Sequence, residues 1–366
     1  MNPARPSRCL SAKDVAFLVA TAGRAPSLHN SQPWKFRVDD DVVDLLADPD
    51  RALGGLDPDG RELLISCGAA LFGLRLAMRK LGLVPQVTLL PDPAQPLLVG
   101  RARPACREAT SRAESELLAA VVHRHTHRGP FTPGEVPARL LSSLQEDARA
   151  ERSELIFVEQ PEQIADLAEL VRAAAAEQHV NAKITAELQR WVRAGNSAAR
   201  DGIPARARVS SDDTALTPPV RLPQRDFGLG GVEEHGGAPP AATAVLATAG
   251  DTPEDWIRAG QALHLLLLRA ANRWVFASLQ SQPLESPVYR QQIRELLGLA
   301  GYPQMLLQFG RSNTATPTPR RLQDELMTND PAGYALVCPY GPTRPAPAPS
   351  AHCSSRRALI GGASDE

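Results

Sequence analysis

Residues 12 to 23 read as a helix, and the polar stretch Pro26-Ser27-Leu28-His29-Asn30-Ser31-Gln32-Pro33 behind it reads as a loop. Each proline biases its predecessor toward extended backbone, which ends the helix and holds the loop open. Trp34, Phe36 and Val38 then alternate with Lys35 and Arg37, the period-two pattern of a half-buried strand. Asp39-Asp40-Asp41 turns the chain into a second strand at Val42–Leu46, so a hairpin is expected. From Arg61 a helix begins with two apolar stripes: Leu64, Cys67, Leu71, Leu74, Met78 and Leu81 on one side, Ile65, Ala69, Phe72 and Leu76 on the other. A helix apolar on two faces is expected in the middle of a core. Short strands follow at Val87–Leu90 and Leu97–Val99.

The same order then returns. A helix over Glu114–Val122 leads into a basic segment at 123–130, and Leu155–Val158 and Thr243–Thr248 read as strands. Trp256, Gly260, Leu263, Leu267, Ala270, Trp274 and Ala277 fall at three- and four-residue spacing, which predicts a second core helix before a last strand at Met305–Phe309. The two long helices match without gaps: Gly68, Ala70, Leu71, Leu74 and Leu76 against Gly260, Ala262, Leu263, Leu266 and Leu268. Each half closes on Gly-Arg, at Gly100-Arg101 and Gly310-Arg311. The expectation is a duplicated α+β unit, not a solenoid. Its halves are residues 1–110 and 111–340, the second carrying an insertion over about 179–240, with a Pro/Ala/Ser-rich disordered tail at 341–366. The inserted run is rich in Gly, Pro, Asp and Arg, and so long a connection in a compact domain is usually a lid or disordered.

Composition narrows the class of function. Forty basic and forty-one acidic residues in 366 leave a net charge of −1, so no global field recruits nucleic acid or an anionic membrane. The apolar runs are shorter than the roughly 18 to 20 residues of a membrane span, and the expected location is the cytoplasm. Five scattered cysteines without a Cys-x-x-Cys pair fit a reducing compartment.

Four motifs carry the candidate chemistry. Pro26-Ser27-Leu28-His29-Asn30-Ser31-Gln32-Pro33-Trp34 resembles the Pro-Ser-x-x-Asn-x-Gln-Pro-Trp loop of the nitroreductase superfamily, which contacts FMN from the neighbouring subunit. Arg124-His125-Thr126-His127-Arg128-Gly129-Pro130-Phe131 resembles the superfamily's Arg-x-Ser-x-Arg-x-Phe element for the flavin phosphate and ring. Pro283-Leu284-Glu285 is similar to the turn that faces flavin N5, and Arg320-Arg321 to the closing basic pair that reaches the phosphate. Asp57-Pro58-Asp59-Gly60-Arg61-Glu62-Leu63 and Ser66-Cys67-Gly68-Ala69-Ala70-Leu71 add a resemblance to the fused, actinobacterial Acg-like subgroup.

The resemblance implies a nitroreductase-like fold whose two fused halves stand in for the usual homodimer, with a lid and one FMN between them. The loop lies in the first half and the phosphate elements in the second, so one site is complete; its reciprocal would need a second Asn-x-Gln-Pro-Trp loop, which the sequence lacks. A monomer then suffices, with a homodimer as the alternative. Implied FMN contacts are Pro26, Ser27, Leu28, Asn30, Gln32, Arg124, His125, Thr126, Arg128, Pro283, Leu284, Glu285, Arg320 and Arg321. Guanidinium groups suit a phosphate dianion through paired, charge-assisted hydrogen bonds. Amide side chains suit the donor and acceptor edge of the ring.

The implied activity is hydride transfer from NADH or NADPH through flavin N5 to nitroaromatic or quinone-like acceptors, with no catalytic acid or base required. Two alternatives stand beside it. An ordered lid over the ring would make the chain a non-catalytic FMN-binding or sequestering protein. Alternating His123, His125 and His127 could hold zinc for hydrolysis if they shared one face of a strand, although Arg124 and Arg128 would repel the cation.

Overall fold

The computed structural model describes residues 10–129, 131–204, 209–210, 222–225, 227, 232–233, 240–315 and 318–328. The expected tail at 341–366 and much of the expected lid lie outside them.

Ser11 starts α1 (Ala12–Ala22) through a capping box with Asp14. After the loop come the antiparallel strands β1 (Trp34–Asp39) and β2 (Val42–Ala47), joined through Asp40 at a left-handed φ of 53°. The two-striped helix is α2 (Arg61–Lys80), buried along nearly its whole length, and β3 (Leu83–Leu89) and β4 (Leu98–Arg107) complete a sheet in the order β1-β2-β4-β3.

The second half opens with α3 (Arg112–Ala120), capped by Ser111 and Glu114, followed by α4 (Ala138–Ala150) and β5 (Ser153–Val158). Next come α5 (Pro161–Val180), α6 (Ala182–Arg190) and the short pairs β6 (Val192–Arg193) with β7 (Ile203–Pro204) and β8 (Val209–Ser210) with β9 (Val232–Glu233). The chain then returns through β10 (Ala242–Thr248), α7 (Pro253–Ala271), β11 (Val275–Gln280), α8 (Pro287–Leu296), β12 (Tyr302–Arg311) and α9 (Gln323–Leu326). The second sheet has the order β11-β12-β10-β5.

From its other edge that order is β5-β10-β12-β11, the first sheet strand for strand, with a long helix after the second strand in each. The α+β expectation of two like halves is therefore met. One difference is large: β1 and β2 meet through Asp40 and Asp41, whereas residues 159–241 intervene between β5 and β10. The insertion replaces a hairpin turn, which is why both its ends return to the same sheet.

The halves join where α2 crosses α7. A Cβ built on Gly68 would lie 2.1 Å from the Ile257 carbonyl oxygen, and one on Gly260 would lie 1.9 Å from that of Ile65. The two glycines let the helix backbones touch, each opposite the residue three positions before the other. Ile65 accordingly packs in the core of the second half and Ile257 in that of the first.

One sequence expectation needs correction. The apolar spacing from Trp256 does not continue as helix to Ala277: α7 stops at Ala271, Trp274 takes a left-handed φ of 54°, and Ala277 lies on β11. Strand β11 is buried on both faces, and such a strand shows no alternation to separate it from a helix tail.

Candidate functional site between the two halves

Behind α3 the chain runs along the edge of β11, where the His127 amide donates to the Ala277 carbonyl at 2.9 Å and Thr126 bridges Ala277. This edge carries Arg124 and Arg128 toward the first half. Arg124 is buried, its Nη2 donates to the Arg24 carbonyl at 3.2 Å, and its Nε and Nη1 have no partner. Arg320 enters from the C-terminal segment, donating to Asn30 Oδ1 at 2.8 Å while its Nε stays unpaired. Loss of solvent pulls Arg124 down to about 10, with Arg24 and Arg128 adding to the effect. It pulls Arg128 to about 10 as well, and Arg320 far below its ordinary value, helped by Arg124, Arg24 and Arg128. No carboxylate pairs with Arg124, Arg128 or Arg320 among the described residues. Buried cations are normally paired, so a cluster with no acid partner among the described residues and with unpaired donors on Arg124 and Arg320 suits a bound dianion.

Arg128 of this cluster lines a partly open cavity whose empty volume, open solvent included, is about 810 Å³. The first half lines it with Pro26, Ser27, Leu28 and His29 of the loop and Glu62, Ile65 and Ser66 of α2. Thr126, Arg128, Leu263, Leu279, Ser281 and Gln282 form the second-half wall. The inserted segment supplies Gln224, Arg225 and Phe227.

The loop is held in a costly shape. His29, Asn30 and Gln32 have φ values of 48°, 56° and 51°, a region that costs a non-glycine residue about 1 kcal/mol or more. Ser27 Oγ accepts from the Gln32 amide at 3.0 Å, and the Leu28 amide donates to Ser66 Oγ at 3.2 Å.

The sequence reading sets Asn30 and Gln32 against the flavin ring; in the structure their amides are bonded elsewhere. Asn30 Nδ2 donates to the Gly202 and Pro319 carbonyls, both at 3.1 Å, and its Oδ1 accepts from Arg320. Gln32 Nε2 donates to the Arg200 carbonyl at 2.8 Å and to the Asn30 carbonyl at 3.3 Å, while its Oε1 accepts from the Arg321 amide at 2.9 Å. Together they clasp the insertion and the C-terminal segment. Arg321 likewise turns from the cluster, donating to the Gln32 and Trp34 carbonyls at 3.0 and 3.3 Å and pairing with Asp48.

The turn expected at flavin N5 directly follows β11. Ser281 and Gln282 line the cavity, whereas Pro283 and Leu284 are buried behind it, Leu284 in an apolar cluster. Glu285 is nearly inaccessible and pairs with Arg225 at 2.6 Å, while Gln178 of α5 bonds both partners. Leu222 is buried against β10 and β12, and its amide donates to Gln308 Oε1 at 3.0 Å. Phe227 meets the His29 ring edge-on at 5.5 Å. Described residues of the inserted segment are thus held by contacts with both halves.

The three alternating histidines do not converge on a metal. His123 stacks on Trp274, His125 lies 4.3 Å from the Phe276 ring and His127 stacks on Phe131. Burial drives His125 down to about 4, so its ring is neutral, and its Nδ1 bonds the His123 carbonyl. Among the described residues no group of three or more His, Cys, Asp or Glu is arranged to hold a metal ion, which removes the support for the zinc reading. None of the described helices is long and apolar enough to cross a membrane.

These two sheets and their crossed helices make a mixed α/β protein of nitroreductase-like architecture. No family model matches the chain. It is 32% identical over 327 residues to Rv3131 of Mycobacterium tuberculosis, provisionally named an NAD(P)H nitroreductase, covering 85% of this chain and 90% of that one. A second protein of that organism, acg, named in the same way, is 27% identical over 330 residues, 88% of this chain and 97% of the other. Among solved structures, a nitroreductase with bound FMN from Desulfitobacterium hafniense matches at 13% identity and TM-score 0.36, over 59% of this chain and 98% of its own. The chain belongs to the family of nitroreductase-like proteins that includes Rv3131.

Proposed function

We propose that the chain is an FMN-dependent oxidoreductase of nitroreductase type, using NADH or NADPH to reduce nitroaromatic or quinone-like acceptors. The observation that carries this reading is the Arg124, Arg128 and Arg320 cluster, without carboxylate partners among the described residues, next to a cavity that both halves build and Arg128 lines. The three guanidiniums hold the FMN phosphate, with Thr126 adding a hydroxyl donor. Pro26, Ser27 and Leu28 lie along the ring from the first half, and Ser281 and Gln282 from the second. Bound FMN would supply hydride-accepting and hydride-donating chemistry. The protein's share is to fix the cofactor, present its ring and exclude water. Asn30, Gln32 and Arg321 act one step back, by holding the loop and the lid in place. Pro283, Leu284 and Glu285 brace the cavity turn, and His125 packs behind the phosphate segment.

A second reading has its own observation: Gln224, Arg225 and Phe227 line the cavity and are anchored by the Arg225–Glu285 pair, which favours a protein that keeps its flavin covered. Anaerobic mixing of the FMN-loaded protein with NADH, then NADPH, separates the two. Bleaching of the visible flavin band supports the oxidoreductase. Flavin that dithionite reduces but neither nucleotide does supports the covered, non-catalytic role. Failure to bind FMN on reconstitution would overturn both.

A further inference from the structure

Glu62, on the first turn of α2, is 2% exposed yet lines the cavity beside Ile65 and Ser66. It is the one carboxylic acid in the described lining. The guanidiniums of Arg128 and Arg225 do not release protons, and burial with those two arginines nearby keeps His29 neutral. Glu62 is therefore the lining group able to give and take a proton.

The wall behind it is polar. Glu62 pairs with Arg61, which also donates to the Leu284 carbonyl at 3.0 Å and the Gln304 carbonyl at 2.9 Å. Asp57 Oδ1 accepts from the Glu62 amide at 3.0 Å and Oδ2 from the Leu63 amide at 2.8 Å. Across this wall is a second cavity, of about 410 Å³, lined by Asp57, Asp59, Arg61, Glu285 and Arg290. The carboxyl thus faces the first cavity, while its neighbours line another on the far side.

We infer that Glu62 is the proton donor to the acceptor reduced in the flavin cavity, reloaded across the Arg61–Asp57 wall. This rests on the oxidoreductase reading above. A quinone-like acceptor needs one hydride and one proton to become a hydroquinone. Bound FMN, charged by a dihydronicotinamide, would supply the hydride. As the acceptor's second O–H bond forms, the Glu62 O–H bond breaks, leaving a carboxylate opposite Arg61, and water in the second cavity returns the proton. Both electrons travel with the hydride, so no further reductant enters. The electrostatics agree: burial, only partly opposed by Arg61 and helped by Asp57 and Glu285, raises Glu62 to about 7. The other charges near it are Arg225 and Arg128 on the cavity side and Arg290 on the far side.

The test counts protons. FMN-loaded wild-type protein and E62Q are reduced electrochemically without oxygen in weak buffer at pH 8, with a pH indicator present. Negative charge arriving at the ring draws a proton onto Glu62, so wild type should take up more protons per flavin than E62Q. Equal uptake overturns the proposal. If E62Q retains no FMN, wild type measured from pH 6 to 9 decides: uptake that rises as pH passes 7 supports Glu62, and pH-independent uptake refutes it. A wild-type protein that binds no FMN overturns this proposal and the oxidoreductase reading together, whereas reducible FMN with equal uptake overturns this one alone.

Discussion

Replacing Arg124 with Met should make the apoprotein more stable and its binding of FMN much weaker. Arg124 is 6% exposed and falls from 12.5 to about 10 because burial and its arginine neighbours penalise the charge. At about 1.36 kcal/mol per pH unit that gap is worth about 3 kcal/mol. Because the folded value lies below the unfolded one, the penalty holds at every pH under about 10, hence throughout the working range. The substitution also removes the bond to the Arg24 carbonyl, worth about 1 kcal/mol. A net gain of about 2 kcal/mol is expected, consistent with the gain of about 1 to 4 kcal/mol seen when apolar groups replace buried charges. Two lost charge-assisted contacts to the phosphate, at about 1.5 to 3 kcal/mol each, should weaken FMN binding at least about 100-fold. Urea unfolding of the two apoproteins and absorbance titration with FMN measure both effects. An apo R124M less stable than wild type, or one that binds FMN unchanged, would refute the assignment of this cluster as an anion site.

Three further outcomes follow from the geometry. Gly260→Ala drives a methyl group to 1.9 Å from the Ile65 carbonyl oxygen, a backbone atom that cannot step aside, and should cost about 3 kcal/mol or more in thermal unfolding; a neutral result would show that α2 and α7 do not cross there. Asn30→Ala frees the Gly202 and Pro319 carbonyls and the Arg320 guanidinium, so amide exchange over residues 200–204 should quicken while α2 stays protected, and unchanged exchange would dismiss the clasp. Burial lifts Glu62 from 4.5 to about 7, so its contribution to stability is complete below pH 4.5 and is lost as pH rises through 7; in E62Q the decline in stability between pH 5 and 8 should flatten, and an identical pH profile would contradict that burial effect.

Local pattern carried the frame of the molecule and stopped at partners distant in the chain. Gly68 and Gly260 were alignable because both sit in dense apolar stripes, and they prove to be reciprocal partners at the helix crossing. The hairpin at Trp34–Ala47 was legible because its strands alternate and its turn is three aspartates. Strand β11 was hidden since Val275–Gln280 is buried on both faces and continues the helical spacing by coincidence. Arg124 and Arg128 stood out by spacing, but nothing local distinguishes Arg320, which joins that cluster, from Arg321, which pairs with Asp48. The commitments of Asn30 to Gly202 and Gln32 to Arg200 span the insertion, where no periodicity operates. Glu62 left one faint mark, an acid at the start of a helix apolar on two faces.

The measurement that bears most directly on the account is equilibrium titration of the apoprotein with FMN and, separately, with riboflavin. One FMN per chain is predicted, because the second half passes from α4 to β5 through Glu151 and Arg152 alone and has no counterpart of the 26–33 loop. Riboflavin, lacking the phosphate for Arg124, Arg128 and Arg320, should bind at least about 100-fold more weakly. Two flavins per chain, or equal affinity for the two compounds, would contradict the single site with its phosphate on the arginine cluster.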